Sequence, residues 1–204
     1  MAIRKMVLFA IALVVALLGS LFPAPAADAN YIVGATSDTG CGQLNMMPSW
    51  DSTLHYQKVS LKANVSSAVS WVANQRVKPT DLHAVEVYNS SADVRYYDSY
   101  WDVGFCGKNW KQSPTGGGVV GTSQCMLLVS SFCDQHRVLI TNHHTDGLSW
   151  EARRTLLCHE TGHVFGISHN YHVGNHDSCM KTPASSGVPK YSLHEVNDMI
   201  NFVW

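Results

Sequence analysis

The sequence predicts a single α/β domain of the α+β kind, and three observations lead there. Apolar residues recur at intervals of three and four over residues 62–77; strand-like runs occupy 83–88, 94–101 and 137–141; a second helical segment follows at 150–165. A chain of 204 residues and 22.4 kDa is the right size for one domain with a real hydrophobic core. No repeat or linker divides it, and the nearest thing to a break, Ser113 to Gly118 with its three glycines, reads as a loop tip between two strands. A formal charge of -1 without a basic block excludes the electrostatic footprint of a nucleic-acid binder. With 46% hydrophobic and only 14% charged residues, disorder is excluded as well.

The N-terminus stands apart from the fold. Arg4 and Lys5 precede an uncharged stretch over 6–18, Gly19, Ser20 and Pro23 break it, and Ala24, Pro25 and Ala26 suit a signal peptidase. This predicts a cleaved signal over 1–26, a secreted protein, and a mature domain over 27–204. Because apolar character runs on to Phe22, an uncleaved anchor is the alternative. No later segment is long and apolar enough to span a membrane, so no membrane partner is expected after cleavage. Cys41, Cys106, Cys125, Cys133, Cys158 and Cys179 all follow the cleavage site, and an oxidising compartment lets them pair in any of about fifteen ways. None of their spacings is Cys-x-x-Cys, which disfavours a zinc ribbon or a thioredoxin-like site.

The first helix rests on Val65, Ala68, Val69, Val72 and Ala73, which share one face. Gly and Asn punctuate the strand-like runs that follow. Ser149 can cap the second helix, and Glu151 sits in its first turn, where the helix dipole favours a carboxylate. Within that helix stand His159, Glu160, Gly162 and His163, followed by Gly166 and His169. Residues four apart project from the same helix face, so His159 and His163 can grip one ion. Gly166 can adopt the left-handed conformation that ends a helix, and the turn brings His169 back as a third ligand. Three imidazoles leave a fourth position open for water, the mark of a catalytic zinc ion rather than a structural one. Glu160 is rotated by about 100° from His159, beside the ion and outside its ligand shell. From there it can take a proton from the zinc-bound water and hand it to a leaving amine. At this composition the pattern His-Glu-x-x-His-x-x-Gly-x-x-His arises by accident in roughly four sequences per hundred thousand, so coincidence is a poor account of it.

From His159 to His169 the chain resembles the metzincin clan of zinc metallopeptidases, and Gly162 gives the motif a matrixin-like form. Together with Ser178, Cys179 and Met180, and a final helix opened by Ser192 and Glu195, it is similar to small secreted matrixin-like proteases of actinobacteria. The resemblance is specific over residues 149–204 and diffuse before them. It implies a zincin-like domain with a twisted mixed sheet, an edge strand supplied by 117–128 along which a peptide lies extended, a zinc helix beneath it, a Met-turn and a C-terminal helix. Met180 would be the Met-turn residue, an apolar floor and not a ligand. A Cys158 to Cys179 bridge would fasten that floor to the zinc helix, Cys125 and Cys133 would close a small loop around an apolar stretch, and Cys41 would remain for Cys106. Residues 181–190 would wall the primed-side pocket. Astacin-like members place a tyrosine two residues after the Met-turn methionine; here that position is Thr182, so no tyrosine ligand is expected. Cys41, between two glycines, is expected in a disulfide rather than a latency switch, and no conventional latency domain is expected.

The reading is a monomeric zinc metalloendopeptidase acting on protein or peptide substrates, with calcium left open. The competing class is a non-catalytic secreted binding protein that keeps zinc as a structural staple. Other features carry less: His143 and His144 form a polar turn, His172 and His176 are alternative third ligands that fit the long motif less well, and the run Tyr96, Tyr97, Tyr100 and Trp101 packs as a half-buried strand. Asn64 and Asn89 begin glycosylation acceptor sequences only in a eukaryotic source.

Overall fold

The computed structural model describes residues 36–38, 42–44, 52–80, 82–113, 118–129, 132–167, 169, 178–181, 189–192 and 195–196. The expected signal over 1–26, Cys41, the tip of the 113–118 loop, His172, His176, Thr182 and most of the expected C-terminal helix lie outside them.

Among the described residues seven strands form one mixed sheet: β1 (Thr36–Asp38), β2 (Gly42–Leu44), β3 (Thr53–Val59), β4 (His83–Glu86), β5 (Val94–Ser99), β6 (Gly121–Val129) and β7 (Phe132–Thr141), in the order β1-β2-β6-β7-β5-β3-β4. The strands β4, β3, β5 and β7 run parallel, while β6 is antiparallel to β7, and β2 and β1 continue that antiparallel edge. Parallel neighbours need a crossover, and α1 (Ala63–Val72) supplies it between β3 and β4. The class is therefore the α/β one expected.

One face of the sheet carries the main core. Leu54 and Tyr56, Val94 and Tyr96, and Val138 and Ile140 point to it at alternate positions, as a half-buried strand requires. Against them pack α1, through the predicted Val65, Ala68, Val69 and Val72, and α3 (Trp150–Val164). Between β7 and α3 lies a single short turn of helix, α2 (Asn142–Thr145). Leu139 points to the opposite face, where Cys106 and Trp110 bury it beside the stacked rings of Trp101 and Phe105.

Several expectations are corrected. The helix predicted over 62–77 is α-helical only to Val72 and continues as a π-helical turn over Ala73–Val77, whose widening keeps both Ala73 and Val77 buried. The strand expected at 137–141 begins at Phe132, because polar Gln135 and His136 hid its first half from a hydrophobicity count. Gly118 closes its turn onto the Ser113 carbonyl, yet an irregular aromatic segment, not a strand, leads into that loop. Strand β6 is not the outermost one, since β2 pairs with it at Gln43 and Cys125. The expected Cys125–Cys133 bridge is present, and the small loop it closes is the turn end of the β6–β7 hairpin.

Candidate metal centre

Helix α3 is buried nearly all round from Thr155 to Val164, although Thr, His and Glu occupy much of that stretch. Buried polar groups need partners. The Thr155 hydroxyl donates to the Glu151 carbonyl, Thr161 pairs with the Tyr96 hydroxyl at 3.0 Å, and Arg153 reaches the carbonyls of Thr145 and Leu148. Ser149 caps the helix as expected, accepting from the Ala152 N–H at 3.2 Å. At the other end Gly166 has φ of +77°, and the Gly166 and Ile167 amides donate to the carbonyls of His163 and Gly162 at 3.0 Å. This is the paired-bond stop that a left-handed glycine makes after a helix.

The stop turns the chain so that His169 meets His159 and His163. Their Nε2 atoms lie 3.0, 3.1 and 3.2 Å apart. The Nδ1 of His159 donates to the Cys179 carbonyl and that of His163 to the Ile167 carbonyl, each at 2.7 Å. A carbonyl only accepts, so both Nδ1 atoms carry the proton and both Nε2 atoms present lone pairs. Lone pairs facing each other at 3.2 Å repel unless a cation lies between them. Tetrahedral ligands on bonds of about 2.1 Å stand about 3.4 Å from one another, close to the spacing seen here. The three residues can therefore hold one metal ion. Burial pushes the His159 imidazolium down to about 4, His163 well below its ordinary value, and His169 down as well, so all three are neutral and able to ligate at pH 7.

Glu160 lies beside this cluster, 4% exposed, in a cleft of about 330 Å³ lined by all three histidines, by Lys108 and by residues 118–123, which lead into and open β6. Burial pushes its carboxyl up to about 8, opposed by the positive charge of Lys108. A Cβ at Gly121 would stand 2.7 Å from Glu160 Oε1, so only glycine at the start of β6 leaves room for the carboxylate.

Below the helix, Met180 is fully buried, and a Cβ at Gly162 would approach its Sδ to 2.2 Å. The bare helix face at Gly162 is what lets Met180 pack against α3 between His159 and His163 in sequence. A Cys158–Cys179 disulfide ties this segment to α3, and Cys125–Cys133 closes the β6–β7 hairpin. Cys106 is also disulfide-bonded, while Cys41 lies outside the described residues. The Met180 segment is held from its far side: Glu195 accepts from the Ser178 hydroxyl at 2.5 Å and from the Ser192 amide at 2.6 Å, and Tyr191 donates to the Cys158 carbonyl.

His143 and His144 do not join the cluster; His143 contacts the Trp101 carbonyl and packs edge-on against Tyr100. Lys108, Gly121 and the carbonyls of Cys179 and Ile167 belong to the site without being legible in the sequence. Backbone carbonyls leave no trace in side-chain patterns. The Ser192–Glu195 capping box was legible as a helix start, but not the reach of Glu195 to Ser178.

No family model matches the chain, and no curated protein matches it. Among solved structures it is similar to myroilysin, with 10% identity, 77% of this chain and 95% of that chain covered, and a TM-score of 0.48. A likeness of that strength carries no weight for function.

Proposed function

We propose that the protein is a secreted zinc-dependent endopeptidase of matrixin-like type, with residues 1–26 a signal and 27–204 one catalytic domain. The observation that supports this most is the convergence of three neutral imidazoles, two of them oriented by backbone carbonyls, next to a buried carboxylate in the same cleft. His159, His163 and His169 would hold the ion, and Met180 would lie beneath it as an apolar floor. Zinc bound there would supply Lewis acidity, acidifying water and polarising a substrate carbonyl.

The chain's own groups supply the rest. A substrate strand laid antiparallel along residues 121–123 of β6, ahead of the point where β2 pairs with it, would pair with their backbone and bring a peptide carbonyl to the histidines. Glu160, charged when a dication lies beside it, takes a proton from the attacking water on a carboxylate oxygen. The hydroxyl oxygen bonds to the carbonyl carbon, the C–N bond breaks, and Glu160 returns the proton to the departing nitrogen. Burial keeps bulk water from competing for that proton. Two disulfides among the described residues suit an oxidising compartment, and no described helix is long and apolar enough to cross a membrane.

Hydrolysis of casein or a peptide library should be abolished by a chelator and restored by zinc. Glu160→Gln should keep one zinc ion per chain by elemental analysis and lose at least about 1,000-fold in kcat. Turnover persisting in Glu160→Gln would remove the assigned base. Bound zinc without hydrolysis of any library member would favour a structural staple instead.

A further inference from the structure

The described residues that flank the turn of the β6–β7 hairpin form an exposed apolar surface. Met126, Leu127, Leu128, Val129 and Phe132 are 45%, 50%, 41%, 50% and 45% exposed. A solvated strand normally alternates, with one face inward and polar residues outward. Here Leu128 pairs with Cys133 and Val129 with Phe132 without a slip, so Leu128 and Val129 stand on opposite faces and both are apolar and exposed. The surface is two-sided. No charged residue occurs between Cys125 and Asp134, and a disulfide with Cα atoms 5.6 Å apart ties the two strands at the hairpin's buried base.

The area and the two-sidedness select the occupant. Five half-exposed side chains present on the order of 400 Å², about half of what each partner contributes to a stable protein interface. A second copy or a flat protein surface would also meet only one face and leave the other in water. Acyl chains are fluid and wrap both faces, and insertion desolvates no charge. We propose that residues 126–129 and Phe132 form a finger that inserts into the interfacial layer of a neutral phospholipid bilayer. The absence of a later spanning segment predicts no membrane partner, but peripheral insertion needs no such segment. Because residues 121–123 of the same strand line the cleft, a seated finger would hold that cleft near the lipid surface.

The test is flotation of the mature protein with phosphatidylcholine vesicles at about 0.1 M and about 1 M salt. The protein should float with the vesicles equally in both. The triple variant Leu127→Ser, Val129→Ser, Phe132→Ser, with unchanged thermal midpoint, should bind about 100-fold more weakly. Phe132→Trp, which keeps the apolar tip, should shift its emission to the blue when vesicles are added. Wild-type protein that stays unbound at every lipid concentration, an F132W emission that does not move, or binding lost in high salt would each overturn the proposal. Weakened cleavage of protein substrates by the triple variant, without lipid binding by the wild type, would reassign the finger to protein docking. None of these readouts of lipid binding needs an active enzyme, so the proposal stands or falls apart from the peptidase reading.

Discussion

Replacing Gly162 by alanine sets two physical effects against each other. Within a helix, even in the last turn where Gly162 lies, alanine is favoured over glycine by up to about 1 kcal/mol, so propensity alone predicts a more stable protein. The packing says otherwise. The new Cβ would lie 2.2 Å from Met180 Sδ, 3.0 Å from its Cε and 3.1 Å from a ring carbon of Tyr191. An unstrained contact needs about 3.5–4.0 Å, so the thioether must retreat by more than about 1 Å. Methionine is flexible, but Met180 is 0% and Tyr191 6% exposed, leaving no solvent to retreat into. Overpacking of this kind costs about 1–3 kcal/mol, which outweighs the propensity gain. The expected net loss is about 1 kcal/mol, or about 2–4 °C in Tm. Metal affinity should weaken as well, because Met180 follows Cys179, whose carbonyl orients His159. Thermal melts with and without zinc, and a competition titration for zinc, measure both. Adding Met180→Ala should spare the second substitution part of its own cost, because the clash is gone. A G162A protein more stable than wild type, with unchanged zinc affinity, would refute the reasoning.

Two further perturbations probe the same site. Without metal, stability should peak near pH 6.5: below it the unfolded chain binds protons that His159, His163 and His169 resist, so stability rises with pH. Above it, as the unfolded imidazoles lose their last protons, Glu160 takes over among these groups; its folded value of about 8 against 4.5 unfolded means the folded form holds a proton the unfolded form has lost. Stability should then fall by about 2 kcal/mol between pH 6.5 and 8, and Glu160→Gln should flatten the fall; melts of the chelated protein showing no decline in wild type would contradict the burial argument. Gly121→Ala, which crowds the Glu160 carboxylate, should lower kcat by about 10-fold or more while leaving zinc affinity within about 2-fold; an unchanged kcat would show that the carboxylate need not stand where it does.

Legibility varied with how local the physics was. The Ser149 cap, the four-residue histidine spacing and the Gly166 stop depend on neighbours along the chain, and the structure places each as the sequence suggested. The register of α1 was equally readable, because one buried stripe needs only helical periodicity. The strand β3 was invisible: Leu54 and Tyr56 are its only inward apolar positions, and His55, Gln57 and Lys58 separate or follow them. The β1–β2 edge escaped for a similar reason, since three-residue strands carry no usable period. The exposure of the hairpin tip could not be read either, because an apolar run between two cysteines looks the same whether it is buried or bare.

The residues that could hold an ion, and the carboxylate beside them, were therefore determined by the sequence alone, since helix geometry converts spacing directly into a shared face. Tertiary structure decided what those residues experience. Burial of a polar helix sets the protonation of its imidazoles and of Glu160, the Cys179 and Ile167 carbonyls choose which ring nitrogens of His159 and His163 face the cluster, and the closeness of Met180 and Glu160 makes any side chain at Gly162 or Gly121 costly. Those are properties of atoms brought together from distant parts of the chain, and no pattern within a single segment encodes the distance between them.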